Sequence, residues 1–242
     1  MADLGSLIPR DRSIHPIVHD PDMKTTMILG PSLPLLSLES TPSEETGPRF
    51  GHGIIGKLDN NLIANFTQGK ADPIGERIRL HGRVLDENER PVSNTLIEIW
   101  QANAGGRYRH VTDKYFAPID PNFGGCGRTI TDEKGFYEFM TIKPGAYPWP
   151  NRHNEWRPMH IHFSIFGYSF GQRLITQMYF QGDPLIELCP IANAIKDHGH
   201  RDRLVASLDI RGSRPMDYLA YKFDIVLRGR RQTMFENKIE GM

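Results

Sequence analysis

The stretch Trp156-Arg157-Pro158-Met159-His160-Ile161-His162-Phe163-Ser164-Ile165-Phe166 decides how this chain is read. From His160 onward it is rich in β-branched and aromatic residues, as strands are. Residues two apart on a strand share a face. His160 and His162 therefore point one way, while Ile161 and Phe163 point the other way, toward a core. Two imidazoles on one face can bind a metal. They can equally be a plain pair on the exposed face of a half-buried strand, and a His-x-His motif alone is too short to choose.

The neighbouring sequence narrows the chemistry. Lys143-Pro144-Gly145-Ala146-Tyr147-Pro148-Trp149-Pro150 is a rigid turn segment dense in proline and aromatics. Further back lies Ala104-Gly105-Gly106-Arg107-Tyr108-Arg109-His110. Between Trp149 and His160 the only carboxylate is Glu155, and no cysteine is near. Zinc would want cysteine, a third histidine or a carboxylate. The groups on offer are tyrosines. Arg107 and Arg109 point away from Tyr108 in an extended segment and read as surface or interface charges. Trp100 reads as a core aromatic. His110, His153, His198 and His200 sit in loop-like contexts without an evident role.

Outward from this stretch the chain reads as a series of short strands. Ile78, Leu80, Gly82 and Val84 alternate with Arg77, Arg79, His81 and Arg83. Leu96–Trp100 is a second strand. Thr129–Thr131 and Phe136–Phe139 flank Asp132-Glu133-Lys134-Gly135, a hairpin signal. Leu174–Phe180 follows the histidine strand, and in the late run Tyr221–Leu227 the residues Tyr221, Phe223, Ile225 and Leu227 share a face. Many short strands with turns between them predict an all-β, antiparallel β-sandwich. Short helices are expected at Pro190–Lys196 and Arg201–Leu208. The β core is placed at residues 76–242. Residues 1–75 form an N-terminal arm and connecting segment. Seven prolines interrupt residues 1–50, yet Met27-Ile28-Leu29 and Leu35-Leu36-Ser37-Leu38 are apolar patches, so the arm is expected to pack on a partner.

The chain has 242 residues, 38% hydrophobic and 24% charged, with a formal net charge of zero. Nothing in that balance favours nucleic acid or a membrane surface. Two cysteines, Cys126 and Cys189, are too few for a disulfide framework, which fits a reducing cytoplasm. Neither a signal peptide nor a membrane-spanning apolar run is evident.

Four segments carry a resemblance: residues 101–110, Asp-Pro-Asn-Phe-Gly-Gly-Cys-Gly-Arg at 120–128, Ile-Lys-Pro-Gly-Ala-Tyr-Pro-Trp at 142–149, and Trp-Arg-Pro-Met-His-Ile-His-Phe at 156–163. They resemble the intradiol ring-cleaving dioxygenases, and the likeness runs from about residue 10 to the end. The resemblance implies a non-haem Fe(III) held by Tyr108, Tyr147, His160 and His162. The ion is hard and highly charged, and a bound cation favours the ionised phenol. It also implies that Arg157 and Gln177 stabilise charge on the ring oxygens, that Tyr147 accepts protons, and that Trp149 walls the pocket. The implied reaction opens a catechol with an anionic substituent, protocatechuate first, using O2. The implied partner is a homologous α chain in a repeated αβ hetero-oligomer, with the pocket at the subunit boundary.

One departure concerns the substrate. The family's β-type chains carry a tyrosine after a proline in the arm, close to the ring substituent. Here the run is Pro21-Asp22-Met23-Lys24-Thr25, so Met23 takes that place, and Pro150 stands where arginine is common. A sulfonated catechol such as 4-sulfocatechol thus competes with protocatechuate. Two other classes stay open: a non-catalytic β-sandwich binding subunit, and a zinc hydrolase built on His160 and His162. A dead module has no reason to keep all four ligand positions, and a zinc protein is colourless.

Overall fold

The computed structural model describes residues 20–24, 53, 55–166 and 173–227. Most of the arm, including both of its apolar patches, lies outside the described residues. Strands dominate what is described. They are β1 (Arg77–Asp86), β2 (Leu96–Gln101), β3 (Cys126–Ile130), β4 (Phe136–Ile142), β5 (Tyr147–Pro148), β6 (Trp156–Arg157), β7 (His160–Phe166), β8 (Arg173–Phe180), β9 (Val205–Arg214), β10 (Tyr218–Lys222) and β11 (Ile225–Leu227).

Nine of these form one hydrogen-bonded sheet in the order β11-β1-β10-β9-β8-β7-β2-β3, with β4 pairing the other side of β1. The sheet folds over on itself as a sandwich. One layer holds β1, β4, β9, β10 and β11, and the other holds β2, β3, β7 and β8. The layers share one core: Ile78, Leu80 and Phe139 cluster with Ile97, Ile161 and Phe163. Phe163 meets Tyr137 at 6.1 Å and Phe223 at 5.3 Å between ring centroids, across the layers. The seam where the layers join is short, with only Tyr179↔Val205 and Phe180↔Ala206 paired between β8 and β9.

Most pairings are antiparallel, as the alternation predicts. Three are parallel: β1 with β10, β1 with β11, and β8 with β9. The late apolar run is two strands. After Lys222 the chain steps over, and the Phe223 N–H donates to the His81 carbonyl at 2.9 Å. Gly82 allows this approach, because a Cβ there would run into the Phe223 carbonyl oxygen.

The helix expected at Arg201–Leu208 is not there. A short helix, α2 (His198–Asp202), ends early and Val205 opens β9. Pairing with β8 and β10 outweighs the weak helical preference of so short an apolar run. The helix expected at Pro190–Lys196 is present as α1 (Pro190–Asn193). Asn61 bridges Met140 and residues 62–69 are turns, from which Leu62 and Ile63 enter the main core. No helix among the described residues is long and apolar enough to cross a membrane.

Candidate metal centre

The site is built on β7, which is held on both edges by β2 and β8. Ile161 and Phe163 are fully buried in the core, so the pleat turns His160 and His162 to the opposite face. Their ring centroids lie 4.9 Å apart. His160 is 2% exposed. Its Nδ1 lies 2.7 Å from the Pro158 carbonyl oxygen, which can only accept. Nδ1 therefore carries the proton and Nε2 keeps its lone pair. Toward that Nε2 come two phenol oxygens, Tyr108 Oη at 3.3 Å and Tyr147 Oη at 3.5 Å.

Two loops deliver the tyrosines, and they interlock. Asn103 Oδ1 accepts from the Gly105 and Arg107 amides, and Asn103 Nδ2 donates to the Pro118 carbonyl. Asp113 accepts the Tyr108 amide on one oxygen and the Tyr115 amide on the other, both at 2.8 Å. The Gly145 amide donates to the Asn103 carbonyl, tying the Tyr147 loop to the Tyr108 loop. Gly106, at φ +80°, lies so close to Ala146 that a Cβ would strike its carbonyl oxygen. The result is an edge-on contact of Tyr108 and Tyr147 with centroids 5.6 Å apart.

Burial sets the protonation states. It pushes His160 down to about 3 and His162 down to about 4, with the Arg157 charge adding to both effects. Both imidazoles are thus neutral at ordinary pH, the form that can ligate a metal. Burial raises Tyr108, and the neighbouring Tyr147 adds to the rise. Burial also raises Tyr147, while Arg157 pulls it down. With no cation present the phenols keep their protons; a cation between the four groups reverses that preference.

Arg157 and Gln177 meet beside this cluster. Arg157 is 5% exposed, and its Nη2 donates to Gln177 Oε1. Tyr179 Oη donates to the same oxygen at 3.1 Å. The guanidinium lies over the Trp149 ring, 5.7 Å from its centroid, and the buried Arg157 Nε has no acceptor among the described residues. A cavity of about 850 Å³ opens from Tyr108, Tyr147 and Trp149 outward to Arg152, Asn154 and Trp156.

The structure brings Tyr108, Tyr147, His160, His162, Arg157, Gln177 and Trp149 together. Met23 is buried and, like Arg157, Gln177 and the two histidines, is not among the residues lining this cavity. Several residues escaped the sequence reading. Trp100 is more than a core aromatic: its ring stacks on His162 at 4.8 Å and 3° and lines the cavity. Tyr179 lies directly across from His160 in the β7–β8 ladder. Its signal was available, since it stands two residues from Gln177 and so on the same face. The buried Cys189 thiol touches both Arg157 and Tyr179. Arg107 and Arg109 are loop anchors: Arg107 bonds the Asp113 carbonyl, and Arg109 bonds the Phe123 carbonyl while covering the Phe66 ring. Among the described residues, no three His, Cys, Asp or Glu side chains cluster as metal ligands, so the zinc-type donor set is not assembled there.

Comparison with known proteins agrees with this geometry. Residues 45–229 match the family model described as Dioxygenase. The chain is 49% identical over 230 residues to the protocatechuate 3,4-dioxygenase beta chain of Burkholderia cepacia, covering 95% of this chain and 97% of that protein. It is 30% identical over 210 residues to the protocatechuate 3,4-dioxygenase alpha chain of Pseudomonas putida, covering 84% of this chain and 98% of that one. The solved structure of 3-chlorocatechol 1,2-dioxygenase from Rhodococcus opacus superposes with a TM-score of 0.55 at 25% identity, over 75% of this chain and 69% of the other. By its residues, its fold and these relatives, the chain belongs to the intradiol dioxygenase family, whose members cleave catechols between their two hydroxyl-bearing carbons.

Proposed function

We infer that this chain is the catalytic, β-type subunit of an enzyme that opens a catechol carrying an anionic ring substituent, protocatechuate first, to the corresponding cis,cis-muconate. The observation that carries the reading is the convergence of two phenol oxygens on the free lone pair of His160. The donor set fits ferric iron. Tyr108 and Tyr147 offer anionic oxygen once ionised, and His160 and His162 offer neutral nitrogen. When bound, ferric iron would supply the Lewis-acid chemistry that draws electron density out of a catecholate and opens its ring to O2.

The chain's own residues do the rest. Ionised Tyr147 is placed to take a proton from a catechol hydroxyl. Tyr108, His160 and His162 would hold the metal. Arg157 keeps a buried Nε–H that has no acceptor among the described residues, a fixed donor for negative charge developing on the ring oxygens. Gln177 holds the other end of that guanidinium. Trp149, stacked against Arg157, excludes water from one wall. The ring carbon–carbon bond between the hydroxyl-bearing carbons breaks, both atoms of O2 enter the product, and two carboxylates appear.

The anionic substituent needs a cation at the outer end of the cavity. Arg157 is engaged with Gln177, Arg152 with Asp22, and Lys114 with the Val111 carbonyl. An α-type partner supplying a basic group completes the pocket in this reading, and the similarity to both beta and alpha chains supports it. Met23 has no hydroxyl to offer a carboxylate, which keeps 4-sulfocatechol as the competing substrate. The test is oxygen uptake by the protein, alone and co-expressed with its α-type partner, on catechol, protocatechuate and 4-sulfocatechol. The expected result is one O2 consumed per ring lost, fastest with protocatechuate and dependent on the partner. Iron-loaded protein that consumes no O2 with any of the three would refute it.

A further inference from the structure

The wall that carries Tyr147, Trp149 and Arg157 is weakly built. Strands β5 and β6 pair at only two positions, Tyr147↔Arg157 and Pro148↔Trp156. Beyond them the turn is closed by the Trp149 amide donating to the Glu155 carbonyl at 2.8 Å. So short a ladder does not hold a fixed shape on its own. What reinforces it comes from the far end of the chain.

Asn151, at the tip of this turn, is 2% exposed, although its neighbours Pro150 and Arg152 are exposed. Three of the four hydrogen-bonding positions of its side-chain amide are used. Oδ1 accepts the Lys24 amide at 2.8 Å, and Nδ2 donates to the Asp22 carbonyl at 2.7 Å and to Glu155 Oε2 at 2.8 Å. Toward residues 22–24 the amide thus behaves as a neighbouring strand would, accepting one backbone N–H and giving one to a backbone carbonyl. The third bond ties the same group back into the turn. The segment is pre-shaped for this contact: Asp20 accepts the Asp22 amide on its carboxylate and the Met23 amide on its carbonyl. An ion pair between Arg152 and Asp22 lies outside the latch, with both side chains more than half exposed, and contributes little.

We propose that Asn151 is a positioning residue whose amide latches residues 20–24 onto the Tyr147–Arg157 hairpin and so fixes the outer end of the catechol pocket. That end, at Arg152, Asn154 and Trp156, receives the ring substituent, because the hydroxyl-bearing edge belongs at Tyr108 and Tyr147. The latch therefore acts on selection among substituted rings and leaves the ring-opening step alone. The pocket half of this statement rests on the function proposed above; the latch itself does not.

The test uses the full chain with its partner and two variants, Asn151→Ala and Asn151→Asp. Aspartate keeps the shape and the acceptor for Lys24 but loses both donors and meets Glu155 with like charge. Hydrogen exchange at the Lys24 amide is read first, without reference to turnover. Both variants are expected to exchange about tenfold faster or more, as loss of a buried hydrogen-bonded anchor implies. With protocatechuate, KM is expected to rise about tenfold while kcat stays within about twofold; with unsubstituted catechol neither constant moves. Asp22→Asn, which removes only the exposed ion pair, is expected to match the parent in exchange at the Lys24 amide. Unchanged Lys24 exchange in both variants overturns the latch. Faster exchange with equal KM changes on both catechols, or with kcat falling alongside, overturns the claim that it governs the substituent. A parent protein that turns over no catechol overturns the functional reading, while the exchange result still decides the latch.

Discussion

The two ends of the catechol cavity are built in different ways. At the inner end Tyr108 and Tyr147 line the cavity; behind them His160 and His162 sit on a strand paired along both edges, and the tyrosine loops are pinned by Asn103 and Asp113. Glycine at 106 allows the backbone contact that sets the two rings edge to edge. At the outer end, a two-pair ladder and one asparagine amide hold the wall. The inner end resembles a preformed ligand cage, with its histidine tautomer fixed before any metal arrives. The outer end is a surface turn whose shape depends on a distant segment. If the proposed roles hold, chemistry and selectivity are separable in this chain, and substitutions at each end should show it.

The largest effect is expected at the inner end. His160→Ala removes a ligand from the centre of the cage and should leave less than about a tenth of the parent's iron, since even supporting residues of metal sites carry 10–100-fold in affinity. Metal analysis of purified protein measures this. A variant that keeps its iron would mean that His160 is not a ligand.

Tyr147→Phe sharpens the comparison, because it separates holding from proton transfer within the same cage. Three donors remain, so iron should stay, while kcat falls roughly 10²–10⁴-fold with loss of the base. Full turnover in this variant would end the proposed role of Tyr147.

A smaller effect concerns acid. In the unfolded chain imidazoles take up protons near 6.5, whereas His160 and His162 in the folded protein do so at about 3 and about 4. Below 6.5 the unfolded state binds more protons, so stability is full above that value and declines as pH falls toward 4. The thermal midpoint of metal-free protein should drop over that range, by about several degrees. His160→Gln should flatten the profile. A midpoint independent of pH between 7 and 4 would show that the pair is not buried as a neutral unit.

The same contrast explains what the sequence reveals and what it hides. The β7 pleat is legible because alternation of His160, Ile161, His162 and Phe163 fixes two faces by local geometry alone. Tyr108, Tyr147, Arg157 and Gln177 are reached by resemblance, and their convergence then follows from the fold. Trp100 was missed because its place depends on the β2–β7 register, in which it lies across from His162. Local alternation in Leu-Ile-Glu-Ile-Trp does not encode that register. Asn151 was missed for a stronger reason, since its partner Lys24 is 127 residues away and uses only backbone atoms. The short helix expected at Arg201–Leu208 overlaps only the start of strand β9, where pairing with β8 and β10 decides otherwise.

Metal content and the visible spectrum of the purified protein test the central claim most directly. Two tyrosines and two histidines around ferric iron predict a red-brown protein with about one iron per chain and a tyrosinate-to-iron charge-transfer band that weakens in Tyr147→Phe. A colourless protein containing zinc and no iron would contradict the account.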